Sequence, residues 1–127
     1  MNSDLQSTID EPDSTELDSD IAAMIADGIT QKLVRSHKDD QETIVGMFRC
    51  DLDAGQTRYV LNVPIHPALD EVPEVETMVF EDGIRTRITN REKFGVRLEL
   101  VISNSEHQPK SVYVETVICA THRKSNE

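Results

Sequence analysis

Three side chains capable of acid–base or metal chemistry stand close together in a proline-bounded connection: His66, Asp70 and Glu71, between Pro64 and Pro73, with Pro67 among them. An imidazole beside two carboxylates is a set that binds a divalent cation or moves a proton. No second His or Cys follows at ligand spacing, and the same residues suit a solvated turn. A small-ligand or metal-dependent hydrolytic domain using His66 is therefore the alternative reading of the chain. Asp51-Leu52-Asp53-Ala54-Gly55 opens like a calcium loop, but Gly55 stands where a third oxygen ligand belongs and Asn62 where the bidentate Glu belongs, so a turn suffices there.

A second group is electrostatic. Arg85, Arg87 and Arg97, with Arg91 and Lys93 between them, are the one local concentration of positive charge. Such a cluster can hold an anion, an acidic segment of a partner protein, or the chain's own acidic tail, because like charges on one face are unfavourable unless something negative lies between them. The plainer reading is a solvated sheet face relieved by Glu92 and Glu99.

Other catalytic patterns are missing: there is no Gly-x-Ser-x-Gly elbow, phosphate-binding glycine loop, Cys-x-x-Cys or His-Glu-x-x-His. The five glycines stand singly, and Trp is absent. No cofactor is expected, and the leading expectation is a non-enzymatic protein-binding or regulatory module.

Charge distribution narrows the partners. The net charge of −11 is uneven: seven acidic and no basic residues occupy the first twenty positions, leaving 17 acidic against 13 basic residues in the rest. This balance disfavours nucleic acid. No apolar run approaches the roughly 20 residues that span a bilayer, and an acidic start is the reverse of a signal peptide, so a cytoplasmic protein is expected. In a reducing compartment Cys50 and Cys119 are expected to be free thiols; the competing disulfide of immunoglobulin type lacks its Trp.

The elements that must position these residues follow from periodicity. Residues 1–18 hold too little apolar surface to order and read as a disordered acidic tail, followed by a single domain over 19–127. Ile21, Met24, Ile25, Ile29 and Leu33 recur at spacings of three and four, predicting an amphipathic helix at about 20–35 whose stripe either docks on its own domain or forms a homodimer. A linker over 36–42 and a β-domain over 43–121 complete the expectation.

Phe94, Val96, Leu98, Leu100 and Ile102 share one parity, which predicts a central, half-buried strand. Strands are expected at 43–50 and 57–63, joined as a hairpin, and at 75–81 and 84–89, joined by a three-residue turn with Gly83 left-handed. Segregating apolar from charged residues sets Thr86 opposite Leu98, Ile88 opposite Val96, Arg85 opposite Glu99 and Arg87 opposite Arg97. A last strand spans 110–121, and the proline-bounded segment 64–73 is where the chain changes sheet or edge. The predicted class is mainly β: a six-stranded antiparallel β-sandwich or partly open barrel with one N-terminal amphipathic helix.

Overall fold

The computed structural model describes residues 21–103 and 107–122; the acidic tail lies outside them. The chain divides into two compact units, Met1–Gln31 and Lys32–Glu127.

In the first unit the helix covers only residues 21–27. Gly28 ends it, at φ +68°, where its N–H bonds to the Ile25 carbonyl at 3.2 Å and the Ile29 N–H to the Met24 carbonyl at 2.9 Å. This is a Schellman cap, and it explains why the expected helix to residue 35 does not form: Gly28, inside the expected span, supplies the left-handed turn that stops the helix. Ile29 and Leu33 therefore do not belong to the helical stripe. Met24 is buried, whereas Ile25 is exposed.

The second unit is built of seven strands rather than six. They are β1 (Gln31–Lys38), β2 (Gln41–Leu52), β3 (Arg58–Pro64), β4 (Glu74–Val79), β5 (Ile84–Glu92), β6 (Gly95–Ile102) and β7 (Lys110–Thr121). The added strand, β1, takes the place of the second half of the expected helix and part of the expected linker. Asp39 and Asp40 join it to β2, both at positive φ, the signature of the type I′ turn that matches the twist of a two-residue hairpin.

Two sheets result, one ordered β1-β2-β7-β4 and the other β3-β6-β5. The segment 64–73 does carry the chain from one sheet to the other. So do the connections after β2 and β4, which sequence reading took for hairpin turns. β2 pairs with β7 from Gln41↔Thr121 to Leu52↔Lys110, and β4 pairs with the other edge of β7. Local turn residues mark a reversal of direction but do not specify whether the next strand pairs with its predecessor. Gly83 is left-handed as expected, at φ +83°, in a connection that crosses between sheets.

β6 is the central strand of its sheet, as its alternation predicts. Val96, Leu98, Leu100 and Ile102 are buried, and they pack in two clusters with β7 residues Val112, Val114, Ile118 and Ala120. Both clusters draw on both sheets, which stack face to face as a sandwich. Phe94 departs from the pattern: it stands in the turn before β6 and is 65% exposed. That turn is fixed by the crossing segment, since Ile65 N–H bonds to the Phe94 carbonyl at 2.9 Å and Leu69 N–H to the Lys93 carbonyl at 2.8 Å. Among the described residues no helix is long and apolar enough to cross a membrane.

Candidate functional site: the outer face of the three-stranded sheet

The alternation that buries Val96, Leu98 and Leu100 turns Gly95, Arg97, Glu99 and Val101 outward. Register supplies their neighbours. One row across the sheet is Arg58, Val101 and Arg85; the next is Val60, Glu99 and Arg87; the third is Asn62, Arg97 and Asn90; the last is Pro64, Gly95 and Glu92. The first three rows contain four arginines and one carboxylate.

This pairing lies two residues from the expected one: Thr86 stands opposite Leu100, Ile88 opposite Leu98, Arg85 opposite Val101, and Arg87 rather than Arg85 opposite Glu99. Two features set it: β5 runs on to Glu92, opposite Gly95, rather than ending at residue 89, and a bulge between Ile88 and Asn90 leaves Thr89 unpaired, its hydroxyl donating to the Arg97 carbonyl at 3.3 Å. An extra residue on one strand lets the rows after it keep their faces while the rows before it slide. Segregation of apolar and charged residues alone cannot see that residue.

The bulge also divides the arginine cluster. Arg85, Arg87 and Arg97 share the outer face. Arg91 takes the parity of Val96 and reaches toward the other sheet, donating to the Pro73 carbonyl at 3.0 Å and lying 3.4 Å from Glu74. Lys93 belongs to the turn pinned by Leu69. In exchange the face gains Arg58, which sequence reading missed because β3 was paired with the wrong strand; its parity with Val60 and Asn62 was the available signal.

Glu99 is the centre of this surface. Its carboxylate accepts a hydrogen bond from the Arg87 guanidinium and lies 3.3 Å from Arg58 Nε. The Arg87 hydrogen bond is the main cause holding its carboxyl below the ordinary range; partial burial opposes it and the Arg58 charge assists. Arg97 Nε donates to Asn62 Oδ1 at 3.2 Å. Among the described residues neither Arg85 nor Arg97 has a carboxylate partner within salt-bridge distance. The face thus keeps an excess of positive charge on a chain that is otherwise acidic.

The proline-bounded residues are arranged differently from a metal site. His66 borders a shallow depression with Leu33, Arg35 and Ile44, while Asp70 lies 3.2 Å from His122 Nδ1 at the end of β7. Glu71 is half-buried in the same connection. Among the described residues no group of three His, Cys, Asp or Glu side chains is placed to hold a metal ion. His122 instead joins a polar knot. Its ring meets that of His37 edge to face at 4.3 Å, Arg35 Nε donates to Glu42 at 2.7 Å, and Arg35 Nη1 donates to the Pro67 carbonyl at 2.6 Å. Arg35 is the main cause lowering the Glu42 carboxyl below its usual range, and the knot ties the crossing segment to β1 and β2.

Cys50 and Cys119 are free, and burial pushes the Cys50 thiol up to about 11, so it acts as a small apolar core residue rather than a nucleophile.

No protein-family model and no curated protein matches the chain. Among solved structures it is similar to an N-truncated R1-type pyocin tail fiber, at 10% identity and a TM-score of 0.48, over 79% of this chain and 94% of that one. It is also similar to a C-terminal portion of the R1 pyocin fiber of P. aeruginosa, again at 10% identity and a TM-score of 0.48, over 77% of this chain and 30% of that one. A likeness this distant carries nothing about function.

Proposed function

We propose that this protein is a non-enzymatic binding module whose outer three-stranded face takes an acidic segment of a partner protein. The observation that carries the proposal is the ratio over the first three rows of that face: four guanidinium groups share a single carboxylate, and Arg85 and Arg97 have no carboxylate of their own among the described residues. Guanidinium forks recognise carboxylates with directed, charge-assisted hydrogen bonds. Val60 and Val101 lie between them, so the surface offers apolar contact as well as charge. A nucleic-acid backbone suits it less well, because the charge is confined to one small face of a strongly acidic chain.

Titration of the full chain with octaglutamate tests the reading. Binding is expected at low ionic strength, weakening about tenfold or more by about 0.5 M salt as the charges are screened. Arg85→Glu with Arg97→Glu should abolish it, whereas reversing charge at Lys38, on β1 of the other sheet, should leave it unchanged. Binding unaffected by the double reversal would contradict the proposal, as would tighter binding of a single-stranded oligonucleotide.

A further inference from the structure

The basic face ends in a hollow. At the row Pro64, Gly95 and Glu92 the central strand presents no side chain, and a depression of about 240 Å³ opens there, bordered by Asn62, Asn90, Arg97 and the exposed ring of Phe94. Gly95 is not required by the backbone. Its φ is not in the left-handed region, and an added Cβ would meet nothing closer than the Val63 carbonyl at 3.4 Å, an ordinary contact. The missing side chain therefore leaves open space next to the most exposed large apolar residue among those described.

Phe94 has a further peculiarity. Its turn is anchored through both carbonyls by the crossing segment, so the ring is held on a fixed backbone while its surface stays in water. A fixed aromatic ring at the rim of a hollow is the form that buried anchor residues of interfaces occupy, at low cost in chain entropy.

Charge decides what enters. Glu92 places a carboxylate at this last row, so an acidic side chain is disfavoured there although it is favoured over Arg97, Arg87 and Arg85. An apolar side chain meets no such penalty and gains contact with Phe94 and Pro64.

On the reading that this face binds an acidic segment, we infer that the segment it selects is an extended stretch carrying one large apolar side chain at one end. That side chain seats in the hollow over Gly95 against Phe94, and the acidic residues that follow lie over the arginine rows. From the Gly95 row to the Val101 row is six residues, about 20 Å at roughly 3.3 Å per residue, so a segment of about that many residues covers the whole site. The arginines give attraction and the hollow gives register and selectivity, since a purely acidic chain slides over like-charged rows with little preference.

Three synthetic peptides test the inference against the full chain: octaglutamate, and octaglutamate carrying a leucine at its amino or at its carboxyl end. One leucine peptide is expected to bind about tenfold more tightly than octaglutamate, the gain appropriate to burying one aliphatic side chain. Phe94→Ala should remove most of that gain, and Gly95→Val, which fills the hollow, should remove all of it. Both variants should bind octaglutamate within about twofold of the wild type, and that retained binding verifies that they are folded. If neither leucine peptide gains affinity, or the gain survives Gly95→Val, the inference is overturned while the acidic-segment reading stands. If none of the three peptides binds, both fall together.

Discussion

Arg87 and Glu99 face each other directly across β5 and β6, and the guanidinium donates a hydrogen bond to the carboxylate. Because this contact lowers the Glu99 carboxyl below its ordinary value of 4.5, folding holds the charged form more strongly than the unfolded chain does. The stability it contributes is fully present above the ordinary value and is lost as pH falls through the lowered one. Glu42 and Asp51 are lowered as well, by Arg35 and Ser111 respectively, and act in the same direction. Denaturant midpoints followed downward from about pH 6 should therefore decline below about pH 4.5, and Glu99→Gln should make that decline shallower. An unchanged acid limb in Glu99→Gln would show that the pair contributes nothing to folding. The same variant should bind octaglutamate more tightly, since the carboxylate that competes for Arg58 and Arg87 is gone.

Leu98 and Phe94 lie on the same parity of one alternating stretch, yet Leu98 is 0% exposed and Phe94 65%. Leu98→Ala should cost about 2 to 5 kcal/mol by removing a core side chain, and Phe94→Ala less than about 0.5 kcal/mol as a surface change. Urea unfolding of the two variants distinguishes them; equal costs would mean that Phe94 packs in the core.

The pair also shows how far the sequence reaches. Period-two alternation marks β6 and also β7, where Val112, Val114, Thr116, Ile118 and Ala120 are the buried set, because a half-buried strand writes its burial directly into its residues. β1 left no such mark: nearly all of it is exposed, so nothing in it had to alternate, and its one leucine, Leu33, fell at helical spacing from Ile29. Arg85, Arg87 and Arg97 were legible as a cluster because charge is visible in composition. Arg58 was not, because joining it to them needs the β3–β6 pairing, a contact between residues about forty positions apart. The hollow at Gly95 was legible least of all, since it depends on the Thr89 bulge and on a turn pinned by a distant segment.

Thr116 lies on the inward face of β7, 0% exposed, and its hydroxyl has no hydrogen-bond partner among the described residues. Burying an unpaired hydroxyl is unfavourable, so the near-isosteric Thr116→Val should raise stability by about 1 kcal/mol. A loss of stability in thermal unfolding would show that the hydroxyl is paired.

Gly46 in β2 is needed for space. A Cβ there would stand 2.7 Å from a ring carbon of the buried Phe48 and 3.0 Å from Leu33 Cδ2. Gly46→Ala should therefore cost about 1 to 3 kcal/mol through overpacking, even though alanine is otherwise better suited to a strand. A neutral result in denaturant unfolding would show that the Phe48 ring can move aside.

The central claim concerns a surface, and mapping that surface is its most direct test. Amide chemical shifts of the full chain should be recorded with and without octaglutamate at low ionic strength. The account predicts that the largest changes fall at residues 58–62, 85–90 and 97–101, the arginine rows of the three strands of one face, and vanish at about 0.5 M salt. Changes concentrated instead on β1, β2, β4 and β7, or no changes at low salt, would contradict it.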